Sequence, residues 1–172
     1  MAEIFEKHGR ASVLGTEVLR WRISLPLRGD NVALFYEEIG RRAVSYCEGA
    51  LTELATEEFE RSDDPNKRFC FPVFSYRLEG RVTYEDDRFL SVCLAAELRR
   101  RGDRSPLVRF EDGQVWERTD GMLLPPEEVV RLVCKTKLSR KEKRKLQGIL
   151  LSEKDVLWYD GVRWNKKEAS KE

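Results

Sequence analysis

An α+β fold is expected for this chain: an antiparallel β-sheet, built as a meander, with one long helix packed across one face and short C-terminal helices. Three observations predict it. Several segments of strand length alternate apolar and polar residues. One stretch, Val32 to Leu54, repeats apolar residues every three or four positions. The segments that follow it are joined by connections too short for helical crossovers.

The first element is a half-buried strand over 17–25, where Leu19, Trp21, Ile23 and Leu25 alternate with polar neighbours and Pro26 limits the continuation. The long helix comes next, from Asn31 to about Phe59. Val32, Phe35, Ile39, Ala43, Tyr46, Cys47, Ala50 and Leu54 form its apolar stripe, and Asp30 suits its N-cap. Glu37, Glu38, Arg41 and Arg42 lie off the stripe with Glu-to-Arg spacings of four. Gly40 and Gly49 are weak points in the helix or points of close packing. Residues 61–66 are a loop by composition.

Strands are expected across 69–118. Phe74, Tyr76, Leu78, Val82 and Tyr84 share one parity, and Leu90, Val92, Leu94, Ala96 and Leu98 form the next alternating set. Leu107–Phe110 and Gln114–Glu117 flank Glu111-Asp112-Gly113, which predicts a hairpin. Pro125-Pro126-Glu127-Glu128 opens a helix whose apolar side is Val129, Val130, Leu132 and Val133. Ser139-Arg140-Lys141-Glu142 fits a capping box for a short helix reaching about Leu146. Residues 156–164 read as a hairpin turning at Asp160-Gly161. A single domain over 1–165 and a polar tail over 166–172 complete the expected organisation.

At 172 residues the chain can bury about two-thirds of its unfolded surface, so it folds without staples. Net charge is +1, so no global field steers it towards an anionic partner. No stretch reaches the ~20 apolar residues of a membrane span, and the N-terminus lacks the basic and apolar regions of a signal peptide. The chain as it stands is expected in the cytoplasm, or outside it where a signal or anchor has been trimmed. Cys47, Cys70, Cys93 and Cys134 are widely spaced and sit among apolar residues. Buried free thiols are expected, with one disulfide as the alternative.

The order of elements resembles the extracytoplasmic, lysozyme-sensing domain of the RsiV-type anti-sigma factors, a domain related to one found beside some peptidoglycan deacetylases. Three stretches carry the resemblance: Leu19–Leu27 entering the long helix, Tyr76–Tyr84 followed by Phe89-Leu90-Ser91-Val92, and Asp120–Val130. The resemblance implies helices on one face of an antiparallel sheet and a sensing role without catalysis. Where that family carries a Gly-Gly-Ala-His-like segment, this chain has Glu97-Leu98-Arg99-Arg100-Arg101-Gly102-Asp103.

No constellation points to catalysis, a cofactor or a metal. His8 is the sole histidine, so any Ser-His or Cys-His scheme has one base available, near the terminus. Asp63-Asp64 and Asp86-Asp87 lie in turn-like segments that favour Asp for backbone reasons. The glycines lack phosphate-loop spacing. One basic cluster stands out as a candidate anion site: Arg131, Lys135, Lys137, Arg140, Lys141, Lys143, Arg144 and Lys145, opposed only by Glu142. Such a cluster binds phosphates with salt-dependent affinity, and Trp158, Tyr159 and Trp164 offer stacking faces. The competing reading is a solvated helix face with core aromatics. A non-enzymatic binding or sensing module is therefore the leading expectation. Its partner is a protein met at an open sheet face or edge, and the chain is a monomer or homodimer. Nucleic acid or another polyanion at 131–145 is the alternative, and a carbohydrate or cell-wall hydrolase the third.

Overall fold

The computed structural model describes residues 3–28, 30–133, 139–140, 146, 148–152, 155–159 and 164–168. They divide into two compact units. One comprises Met1–Leu27, Ala33–Glu79 and Ala95–Phe110; the other comprises Arg28–Val32, Gly80–Leu94 and Glu111–Glu172. A six-stranded sheet takes its strands in chain order: β1 (Glu3–Val13), β2 (Thr16–Leu27), β3 (Phe74–Glu85), β4 (Phe89–Arg100), β5 (Val108–Glu117) and β6 (Met122–Leu123). A second sheet has three strands, β7 (Gly148–Leu151), β8 (Asp155–Tyr159) and β9 (Trp164–Glu168). The mixed α+β class therefore holds.

In the first unit, β1 and β2 form a hairpin that turns at Leu14 and Gly15. Both residues take positive φ (50° and 83°), as a twist-matched two-residue turn requires, and glycine meets that demand without strain. The expected alternation of β2 is present, with Leu19, Trp21, Ile23 and Leu25 buried. β1 lacked a clear strand pattern because it lies at the sheet edge, and its side chains are mostly exposed.

The expected long helix exists as α1 (Asp30–Tyr46), a π-turn (Cys47–Leu51) and α2 (Thr52–Arg61) in continuous succession. The helix begins at Asp30. Its buried face differs from the expected stripe. Val32, Tyr36, Ala43, Cys47, Leu51, Ala55 and Phe59 are buried, whereas Phe35, Tyr46 and Leu54 are exposed. From Ala43 onward the buried positions fall every fourth residue. Each such step overshoots an α-helical turn by about 40°. The wider π-turn, where Thr52 Oγ1 donates to the Cys47 carbonyl at 2.7 Å, brings the stripe back into phase. Close packing accounts for Gly40: a Cβ there would stand 2.5 Å from the Phe5 ring on β1. On the solvent side Arg41 pairs with Glu37 and Arg42 with Glu38, as the spacing predicted.

The helix returns the chain to the starting end of the sheet, so β3 pairs with β2 in parallel, from Leu19↔Phe74 to Ser24↔Glu79. The expected wholly antiparallel meander is corrected at this point, because a helical crossover is the connection that parallel pairing demands. Before β3, a single helical turn, α3 (Lys67–Cys70), replaces the strand expected from residue 69.

In the second unit, α4 (Pro126–Val133) opens at the predicted Pro-Glu-Glu sequence. Its Val129 and Val130 join Phe89, Val115, Leu124, Ile149, Leu151 and Val156 in one core. Phe89 and Ser91 on one face of β4 are buried, and so are Leu90 and Val92 on the other. The sheet face that the sequence left open to a partner is thus filled here by β7 and α4. Ser91 Oγ accepts the buried Leu151 N–H at 2.9 Å and is met by Thr83 Oγ1 at 2.9 Å. Ser91→Ala is expected to cost about 1–3 kcal/mol by stranding the Leu151 amide. Urea unfolding checks it, and a loss below a few tenths of that range refutes the role assigned to the serine.

Two expectations change in this unit. The hairpin over 107–117 is one continuous strand, β5. Gly113, taken as a turn residue, is buried in mid-strand because the β7 backbone passes directly against it. Residues 166–168, expected in the polar tail, lie in β9, which pairs with β8. Of the short helix expected over 139–146, only Ser139, Arg140 and Leu146 are among the described residues. The turn at Asp160-Gly161 lies outside them.

Candidate functional site

The sequence-predicted site residues are only partly placed. Arg131 is exposed on α4 and pairs with Glu128 at 2.8 Å. Arg140 is exposed. Lys135, Lys137, Lys141, Lys143, Arg144 and Lys145 lie outside the described residues, as does Cys134. His8 is exposed on β1 opposite Arg22. Of the acidic residues singled out earlier, Asp64 and Asp86 serve turns. Asp64 Oδ1 accepts the Asn66 N–H at 2.8 Å, and Asp86 Oδ1 accepts the Arg88 and Phe89 amides at 2.8 and 2.6 Å.

Among the described residues the three thiols, Cys47, Cys70 and Cys93, are free, and they differ. Cys47 is buried in the π-turn, where burial and then the Glu48 carboxylate push its pKa up to about 12. Cys93 is half-buried and also raised, first by burial and then by Glu111. Cys70 is exposed, against the expectation of burial, because α3 turns its side chain to solvent beside Asp64. The hydrogen bond to Asp64 raises the Cys70 pKa. A raised thiol pKa means less thiolate at neutral pH and slower alkylation. Site-resolved alkylation at pH 7.5 should therefore modify Cys70 well before Cys47, and Asp64→Asn should speed Cys70 further. Equal rates at Cys47 and Cys70 would contradict this placement.

A polar cleft of about 290 Å³ lies in the second unit. Three stretches distant in sequence build it: Arg28 after β2 with Asn31 and Val32 in the first turn of α1, Glu85 ending β3 with Leu90 on β4, and Arg118, Thr119 and Gly121 between β5 and β6. Glu85 stands between two guanidinium groups. Arg28 Nη1 is 3.4 Å from Oε2 and Arg118 Nη1 is 3.6 Å from Oε1. Arg118 is anchored by its own Nη1 donating to the Asp86 carbonyl at 2.5 Å and by its amide donating to the Arg88 carbonyl at 2.8 Å. Burial works against the Asp86 charge, yet bonds from the Tyr84 hydroxyl and the Phe89 and Arg88 amides hold its carboxyl below the usual range. Gly121 takes φ 62°, and a Cβ there would meet the Asn31 side chain at 2.8 Å. Glycine therefore lets the turn close on the helix start. No motif announces this site, because its residues converge from across the chain.

A second surface belongs to the first unit. Leu107 donates its amide to the Leu98 carbonyl on β4 at 2.8 Å. Amides alternate in direction along a strand, so those of Val108 and Phe110 point away from β4. On that side β6 pairs only with Trp116 and Glu117. Val108 and Phe110 are 57% and 53% exposed, and they share one face. Residues 95–110 carry Arg99, Arg100, Arg101, Arg104 and Arg109 against Glu97 and Asp103.

No protein-family model and no curated protein matches the chain. Solved structures do. A DUF3298 family protein from Pseudomonas aeruginosa PAO1 shares 12% identity at a TM-score of 0.52, covering 98% of this chain and 89% of that one. A DUF3298 family member from Bacteroides fragilis NCTC 9343 shares 8% identity at a TM-score of 0.51, with coverage of 98% and 89%. At these identities the likeness shows a common fold and nothing more specific.

Proposed function

We propose that the protein is a non-enzymatic binding or sensing module that takes an extended segment of a protein partner along β5. The observation that carries this reading is the stretch Val108–Phe110, whose outward amides run past the end of β6 beside exposed apolar side chains. A strand added there would gain main-chain hydrogen bonds for affinity, with alternate side chains giving specificity. Exposed apolar strand edges are normally blunted in monomeric proteins, so one left open among the described residues suits an interaction site. The surplus of arginine over acid in 95–110 favours a segment mixing apolar and acidic residues. The RsiV-type resemblance of Leu19–Leu27, Tyr76–Val92 and Asp120–Val130 supports a sensing role of the same general kind.

The test is affinity capture from native extract at low and high salt, with the unaltered protein and with Val108→Pro. Proline removes an amide that points away from β4, so the β4–β5 pairing survives while strand addition is blocked. One protein retained by the unaltered chain at both salts and lost with the variant supports the reading. The same protein held equally by the variant, or no protein above background, overturns it.

A further inference from the structure

We infer that the Arg28–Glu85–Arg118 cleft is a binding site for a small carboxylate ligand. The inference is independent of the β5 reading and rests on three features of the cleft.

The first is the loose hold on Glu85. Elsewhere in the protein, arginine–carboxylate pairs run from 2.6 Å (Arg41–Glu37) and 2.7 Å (Arg42–Glu38 and Arg22–Glu6) out to 3.3 Å (Arg100–Asp103) and 3.5 Å (Arg88–Glu117). The shorter of these are the lengths of charge-assisted hydrogen bonds. In the cleft both guanidinium groups stay 3.4 and 3.6 Å from Glu85, close enough for ionic attraction but beyond a good charge-assisted bond. A guanidinium has five N–H donors, and Glu85 engages each of these two at long range through one nitrogen. Donor capacity therefore faces the cleft.

The second feature is the charge balance. Two arginines and one glutamate line the cleft, an excess of one positive charge. The nearby Asp86 carboxylate is taken up by the Tyr84 hydroxyl and the Arg88 and Phe89 amides. That excess favours an anion, and a carboxylate matches the planar fork of arginine.

The third is size and polarity. A volume of about 290 Å³ sits at the lower end of ligand pockets. The Asn31 amide and Thr119 hydroxyl add neutral hydrogen-bonding groups, and Val32 and Leu90 supply apolar wall. This combination suits a compact acid with a short polar body.

The experiment is a titration of the full chain with sodium succinate, and separately with sodium phosphate, followed by amide ¹H–¹⁵N shifts at constant ionic strength. With succinate, saturable shifts are expected at Arg28, Asn31, Val32, Thr119 and Gly121. Arg28→Gln should abolish them. Glu85→Gln removes the competing internal carboxylate and should tighten binding about fivefold, the worth of one nearby charge in a watery setting. Thermal melts of both variants confirm that they remain folded, and Glu85→Gln alone decides the matter if Arg28→Gln does not. Shifts that fail to saturate, or that persist unchanged in Arg28→Gln, overturn the proposal. Saturation with phosphate alone, or weaker succinate binding in Glu85→Gln, overturns it equally.

Discussion

Phe59→Ala should lower the unfolding free energy by about 3–5 kcal/mol, the range for emptying a well-packed aromatic site. Phe59 is 2% exposed at the end of α2. Its ring meets Phe71 edge-on at 5.3 Å between centroids, and Lys67 Nζ sits 5.2 Å from its centroid. The substitution removes the apolar burial, the edge-on aromatic contact and the cation's partner together. Whole domains are stable by about 5–15 kcal/mol, so this loss is a large share. Phe69, ten residues on in α3, is 92% exposed. Phe69→Ala should therefore change stability by no more than about 0.5 kcal/mol. Urea unfolding of both variants at one temperature measures the contrast. A Phe59→Ala loss under about 1 kcal/mol would mean that α2 does not seal the first unit as described.

Gly113→Ala should cost about 1–3 kcal/mol, and Gly113→Val distinctly more, because the obstruction is backbone. A Cβ at Gly113 would run into the Ile149 carbonyl group and come within 2.8 Å of the Trp164 ring. Trp164 Nε1 donates to Glu111 at 3.1 Å, two residues before the glycine. Pushing β7 aside therefore disturbs that indole, and near-ultraviolet circular dichroism should report it. An exposed turn would respond to backbone strain but not to side-chain size. Equal costs for Ala and Val, with an unchanged indole signal, would restore the hairpin reading of 107–117.

That hairpin shows where sequence reasoning reached its limit. Glu111-Asp112-Gly113 is good turn chemistry, and only the approach of β7 explains a glycine in mid-strand. β7 itself, Gly148-Ile149-Leu150-Leu151, is buried throughout and so shows no alternation that would mark it as a strand. The helix face was ambiguous for another reason. Phe35, Tyr46 and Leu54 fit a helical period as well as Tyr36, Leu51 and Phe59 do. Packing chose the second set, and the π-turn kept Leu51 and Phe59 in phase with it. Tyr46 lies half in solvent, edge-on to Tyr76 at 6.1 Å.

The candidate cleft was not legible at all. Arg28, Glu85 and Arg118 are each ordinary charged residues beside a turn, and surface arginines are common. What sets them apart is their convergence on one cavity.

Periodicity and turn chemistry determined the α+β class, the alternation of β2 and β4, the helix-opening sequence of α4 and the Glu–Arg pairs of α1. Each of these depends on residues within a few positions of one another, which a linear pattern records. The parallel pairing of β2 with β3, the buried second face of β4, the cleft and the exposure of Val108 and Phe110 on β5 were decided only by tertiary structure. They depend on which distant segments meet, and alternation encodes that a residue is buried without encoding what buries it.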